Sequence, residues 1–134
     1  MPYTVQYTKE CECILVVITD ELDLSLLQSM AAEVAKLVKE TGSRCILNDV
    51  RRAQPTAKTI DIYNMPQAAK KAGVEQAFKR ALVVGTRAKE FSFLETVFVN
   101  QGHIVRMIKT IEEAKKWLCE NRSNQANTLA MPRP

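Results

Sequence analysis

Arg44-Cys45-Ile46-Leu47-Asn48-Asp49 runs into Val50-Arg51-Arg52-Ala53-Gln54-Pro55-Thr56-Ala57-Lys58: an apolar strand that ends in a carboxylate and then a basic loop before a helix. An apolar strand followed by a polar or basic loop and a helix recurs twice, with Arg80–Val84 leading into Gly85–Glu90 and His103–Ile108 into Lys109-Thr110. If these strands are parallel members of one sheet, right-handed crossovers bring all three loops to one edge. That is the carboxyl edge, where open α/β sheets bind their partners. Arg51, Arg52, Lys58, Arg87, Lys89 and Lys109 then gather there, with Arg51, Arg52 and Arg87 expected to form a single electropositive patch. No nucleophile, base and stabiliser can be assembled around them. Asp49 has no second carboxylate or histidine placed to work with it, so a loop-capping role is expected instead.

The rest of the chain fits around these units. Tyr3–Thr8 and the β-branched run Cys13–Thr19 read as an opening strand pair turning at Lys9–Glu12, with the second strand buried on both faces. Asp20-Glu21-Leu22-Asp23 offers an N-cap to a helix from Leu24 to Lys39, whose Leu27, Met30, Val34, Leu37 and Val38 recur at helical spacing before Gly42. Pro66 lacks an N–H and should kink or restart the helix begun at Thr59, giving a second short piece over Gln67–Ala72. Ser92-x-x-Glu95 and Thr110-x-x-Glu113 have the form of capping boxes for two later helices. The first turns Leu94, Val97 and Phe98 inward, and the second Ile111, Ala114, Trp117 and Leu118.

Length and composition narrow the function classes. A chain of 134 residues, 46% hydrophobic, suffices for one core, so residues 1–120 are expected to form one domain and the polar 121–134 a flexible tail. A formal charge of +4 is modest for a nucleic-acid binder, and none is expected. Residues 1–50 carry four Lys/Arg against eight Asp/Glu and the remainder fifteen against seven, an asymmetry able to steer acidic partners. No secretory signal or membrane-length apolar run is present, so a cytoplasmic location without stable membrane insertion is expected. Cys11-x-Cys13, Cys45 and Cys119 lack paired zinc spacing, and His103 is the only histidine. The cysteines are read as small hydrophobes in a reducing compartment, with Cys11 and Cys13 on one strand face, and no metal, cofactor or disulfide is expected. His103 is read as a surface residue.

The order of elements resembles the STAS domains, named for sulphate transporters and anti-sigma-factor antagonists, and most nearly a bacterial branch of small stand-alone STAS-like proteins. The resemblance rests on Ile46-Leu47-Asn48-Asp49 with its loop, on Ile62-Tyr63-Asn64-Met65-Pro66, and on Phe93-Leu94-Glu95-Thr96-Val97 with Arg106–Leu118. It implies an α/β fold with a five-stranded mixed sheet and four to five helices packed mainly on one side. It also implies a protein that is not an enzyme. The best-known members switch partners on phosphorylation of a serine after the third strand. Here Asp49 to Thr59 contains no serine and no glycine, and its only hydroxyls are Thr56 and Thr59; a phosphate there would meet a helix N-terminus and cations, whereas an N-cap is the ordinary role of such residues.

The function expected is therefore a STAS-like interaction and regulatory module, binding a protein partner or itself as a homodimer. Loop 50–58 and helix 59–72 should carry it, through Asp49, Arg51, Arg52, Thr56, Lys58, Thr59, Tyr63 and Arg87. Ile60, Tyr63 and Met65 could supply an apolar lip if exposed. The alternative is a small-ligand carrier holding an apolar, lipid-like or anionic metabolite at the carboxyl edge; STAS-like folds have been compared with CRAL-TRIO lipid-transfer domains.

Overall fold

The computed structural model describes residues 2–119, so the expected tail, 121–134, lies outside the described residues. Strands β1 (Tyr3–Thr8) and β2 (Cys13–Ile18) pair antiparallel. Helix α1 (Leu24–Thr41) crosses to β3 (Cys45–Asp49), α2 (Thr59–Ala72) to β4 (Lys79–Val83), and α3 (Ala88–Asn100) to β5 (Ile104–Ile108). A last helix, α4, occupies residues 111–119. The spatial order is β1-β2-β3-β4-β5, with β2 to β5 all parallel. The sheet is thus mixed and five-stranded, as the resemblance implied.

Alternation along the strands sorts the side chains into two layers. Ile14, Val16, Ile18, Ile46 and Leu82 face α1, α2 and α3 and pack with Leu27, Met30, Val34, Met65 and Phe98 in the larger core. Cys13, Cys45, Leu47, Ala81 and Val83 face the other way and pack with Ala114 and Leu118 of α4. Helix α1 has the expected ends. The Asp23 carboxylate accepts from the Leu26 N–H at 2.8 Å, and Gly42 closes the helix at a φ of 74°, which glycine adopts without Cβ strain.

Several expectations are corrected. Helix α2 runs unbroken through Pro66. The missing N–H deprives only the Ile62 carbonyl, the ring is fully buried, and Gln101 Nε2 donates to the adjacent Tyr63 carbonyl at 3.1 Å. Helix α3 begins at Ala88 rather than at Ser92, because that start turns Phe91 into the core. Ser92 then bonds the Lys89 carbonyl, and Glu95 instead accepts from the Met107 N–H at 2.8 Å. Thr110 does act as a cap, its hydroxyl accepting from the Glu113 N–H. Cys11 sits in a single 3₁₀ turn over Glu10–Glu12, not on a strand, and its φ is 62°. It is bonded to Cys119, with the two Cα atoms 5.5 Å apart, so the expectation of four unpaired thiols fails: the turn after β1 and the end of α4 are brought together only by the folded chain. Cys13 and Cys45 are buried and take no part in that disulfide.

Candidate functional site

The loops after β2, β3, β4 and β5 meet at the carboxyl edge. The parallel ladder continues past the strand ends: Val50 N–H donates to the Val83 carbonyl (3.0 Å), and Gly85 N–H to that of Lys109 (3.1 Å). Loop 50–58 is held on both sides. On one, Leu22 N–H donates to the Gln54 carbonyl at 2.7 Å and Gln54 N–H to that of Asp20 at 3.0 Å. On the other, Arg87 Nη1 donates to the carbonyls of Arg51 (2.9 Å) and Ala53 (2.6 Å). Gly85 turns the chain there at a φ of 62°, a left-handed conformation that glycine adopts without Cβ strain.

The three arginines expected to form a patch are brought to this edge, and two of them carry a carboxylate of their own. Arg51 makes a two-pronged pair with Asp49, Nε to Oδ1 at 2.9 Å and Nη2 to Oδ2 at 2.8 Å, and its N–H also donates to Oδ1. Burial works to raise the Asp49 carboxyl, but the Arg51 hydrogen bonds, with the charges of Arg51 and Arg52, outweigh it and hold the carboxyl below its usual value. Arg87 pairs with Glu90 in the same fashion, at 2.9 and 3.0 Å. Arg52 is exposed and forms no salt bridge among the described residues. Val17, Ile18, Asp49, Arg51 and Arg52 line an open hollow of about 310 Å³. Thr56, Lys58 and Thr59 are exposed at the start of α2. Lys58 occupies the N-cap position without a side-chain bond, so neither threonine caps that helix.

Beside this loop lies an apolar surface. Ile60 is 64% exposed, Tyr63 51% and Phe93 of α3 40%, and the Tyr63 and Phe93 rings meet edge to face at 5.5 Å. Met65, the third residue expected in this lip, is instead fully buried, because it lies on the opposite side of α2.

Sequence reasoning missed Arg80 and His103. Arg80 shares a strand face with Leu82 and is 5% exposed beneath the helices. Its Nη2 bonds His103 Nδ1 at 2.6 Å, and its guanidinium lies 5.7 Å from the Phe98 ring centroid. His103 is buried too, contrary to its expected surface position, because Phe98 packs edge-on against it at 5.2 Å. The available signal was a lone charge on the inward alternation of a central strand. Burial lowers the His103 pKa to about 4, helped by the charges of Arg80 and Lys70. Arg80 is lowered by burial to about 10 and stays charged at neutral pH.

A pH dependence follows. The unfolded chain takes up a proton near pH 6.5 that folded His103 refuses until about pH 4. The stability this provides is complete above pH 6.5 and is lost as the pH falls to 4, by about 3 kcal/mol at most. Urea titrations across that range on the native chain and His103→Gln should show the steeper loss in the native chain. Parallel curves would refute the assignment.

No family model matches the sequence, and no curated protein is similar enough to align with it. Solved structures do match. An anti-sigma factor antagonist from Mycobacterium paratuberculosis superimposes with a TM-score of 0.58 at 10% identity, over 87% of this chain and 93% of that one. The anti-sigma factor antagonist SpoIIAA, in its unphosphorylated form, does so with a TM-score of 0.50 at 13% identity, over 94% of this chain and 98% of that one. The fold is STAS-like. At such identities the STAS-like likeness concerns the path of the backbone, so the site must be argued from its own residues. Among the described residues, no helix is long and apolar enough to cross a membrane, and no three or more His, Cys, Asp or Glu are placed to hold a metal ion.

Proposed function

We propose that the chain is a non-enzymatic interaction module of the bacterial cytoplasm that binds a protein, or a second copy of itself, through loop 50–58 and helix α2. Residues 1–120 would act as the binding domain and 121–134 as an appended tail. The observation that carries this reading is the contiguous Ile60, Tyr63 and Phe93 surface, since exposed apolar clusters on small domains mark contact sites. Lys58 and Lys89, two and four residues before Ile60 and Phe93, are exposed cations, as is Arg52 in the preceding loop, and they favour a partner with an acidic rim. The loop is already fixed by Arg87 and by Asp20 and Leu22, so binding loses little conformational entropy there. The likeness to anti-sigma factor antagonists is consistent with a protein partner. With no serine in 49–59, the module would work without the phospho-serine turn.

The test is sedimentation and quantitative co-purification of the full chain from its host, comparing the native chain with Ile60→Asp, Tyr63→Asp and the distant control Lys36→Glu. A complex, homo- or heteromeric, should lose about 30-fold in affinity in both aspartate variants, the ~2 kcal/mol scale of a central aromatic contact. The control should retain it. A complex indifferent to both aspartates would overturn the reading, as would a native chain that is monomeric and retains nothing.

A further inference from the structure

Between the sheet and helix α1 lies an apolar hollow of about 80 Å³, walled by Ile18, Leu27, Met30, Val34 and Ile46 among others, and lined also by Arg80 and Asn48. Arg80 reaches it from the second position of β4, opposite Ile46 on one side and Val105 on the other. Its Nε is buried and has no hydrogen-bond partner, and Arg80 takes part in none of the salt bridges among the described residues. His103 offers one neutral acceptor to Nη2 and Phe98 the face of a ring; neither supplies a negative charge. A charged guanidinium out of water with an idle donor costs several kcal/mol unless an anion or further acceptors complete it.

We propose that this hollow is a binding site for a short-chain monocarboxylate, whose carboxylate accepts from the Arg80 Nε–H and whose alkyl tail lies among the aliphatic walls. The inference stands independently of the surface proposed above. The chemical class follows from the lining: one cation and one amide suit a single negative charge, whereas the extra oxygens of a phosphate would face hydrocarbon. Arginine's planar fork matches a carboxylate. The length follows from the volume, which is roughly half of the ~150 Å³ that admits benzene in an engineered apolar cavity. Butyrate has as many heavy atoms as benzene, so its carboxylate and first carbons fill the hollow and its chain end reaches the open side, whereas a long lipid chain finds no room.

The test uses the full chain with acetate, butyrate, octanoate, 1-butanol and chloride, at matched ionic strength for the salts, followed by NMR of the Arg80 Nε–H and of methyl groups and by thermal melts. Butyrate should shift the Nε–H together with the Ile18, Leu27 and Ile46 methyls, and raise the melting temperature by about 4–6 °C at ten times its dissociation constant. Butanol, which lacks the charge, and chloride, which lacks the tail, should do neither, and octanoate should bind more weakly than butyrate. Arg80→Met should abolish the response. Should that variant not fold, Ala31→Ile narrows the hollow while leaving Arg80 in place, and should weaken binding at least tenfold. The proposal is overturned if the Nε–H is unmoved at tens of millimolar butyrate, if chloride reproduces the effect, if either variant responds as the native chain does, or if the shifts fall at Arg51 and Arg52 instead.

Discussion

Reduction of the Cys11–Cys119 bond is expected to cost the protein about 2–4 kcal/mol and to lower its melting temperature by about 10 °C. The bond joins positions 108 residues apart. Opening so long a loop returns much conformational entropy to the unfolded chain, for which the chain-entropy relation sets an upper figure near ~4.7 kcal/mol. The Cα separation of 5.5 Å is within the ordinary span of a disulfide. The effect should be local first, because among the described residues α4 is the lone helix packed on its face of the sheet, and its buried contacts are chiefly Ala114 and Leu118 against Cys13, Leu47 and Val83. Amide exchange in residues 111–119 should therefore accelerate before the rest of the domain opens. Melts with and without reductant, alongside Cys119→Ser, measure this. Cys119→Ser should melt where the reduced native chain does and ignore reductant. A native chain whose thiol count rises on reduction while its melting point stays put would remove the bridge from any account of stability. A cytosolic location would keep such a bond reduced except under oxidation, so thiol labelling in intact cells also tests the proposed compartment.

Phe91→Ala is expected to be the most costly single substitution of a side chain at the carboxyl edge, at about 3–5 kcal/mol. Phe91 is 0% exposed and heads the fully buried side chains in size. Arg87, whose guanidinium stands 5.3 Å from its ring centroid, is the residue that holds the Arg51 and Ala53 carbonyls. Removing the ring leaves a cavity beneath that clamp. The midpoint of urea unfolding should fall with little change in slope, and amide exchange at Ala53 and Gln54 should quicken beyond what the lost global stability explains. Phe91→Leu, which keeps most of the volume, should cost much less. A loss below about 1 kcal/mol for the alanine variant would mean that the site collapses around the gap, and loop protection unchanged in that variant would mean that Arg87 holds the loop without the ring.

Local patterning carried most of the architecture. The β-branched run at Cys13–Ile18, the short apolar runs within Cys45–Asp49 and Lys79–Val83, the helical spacing of Leu27, Met30 and Val34, the Asp23 cap and the Gly42 stop are each written in a few neighbouring residues. The STAS resemblance implied the mixed sheet, and the succession of strands and helices implied the shared carboxyl edge, because crossover handedness leaves little choice of which loops meet. What escaped depended on partners distant in sequence. The pairing of Arg51 with Asp49 and of Arg87 with Glu90 was close in sequence, yet the anchoring of loop 50–54 by Arg87 required β3 and β4 to lie side by side. The Ser92 capping signal was real but lost to the burial of Phe91. Pro66 stayed helical because burial of its ring against the core offsets the one hydrogen bond lost at the Ile62 carbonyl.

The sequence by itself determined the kinds and order of the elements and which loops gather at one edge, since backbone propensity and strand alternation act over a few residues. Only the tertiary structure decided that Arg80 and His103 lie inside rather than outside, that Ile60, Tyr63 and Phe93 share one open surface, and that Cys11 reaches Cys119. Alternation places Arg80 on a face of its strand, but whether that face meets water or helices is set by where α1 and α3 come to rest. Burial is a property of the assembled layers, not of the local chain.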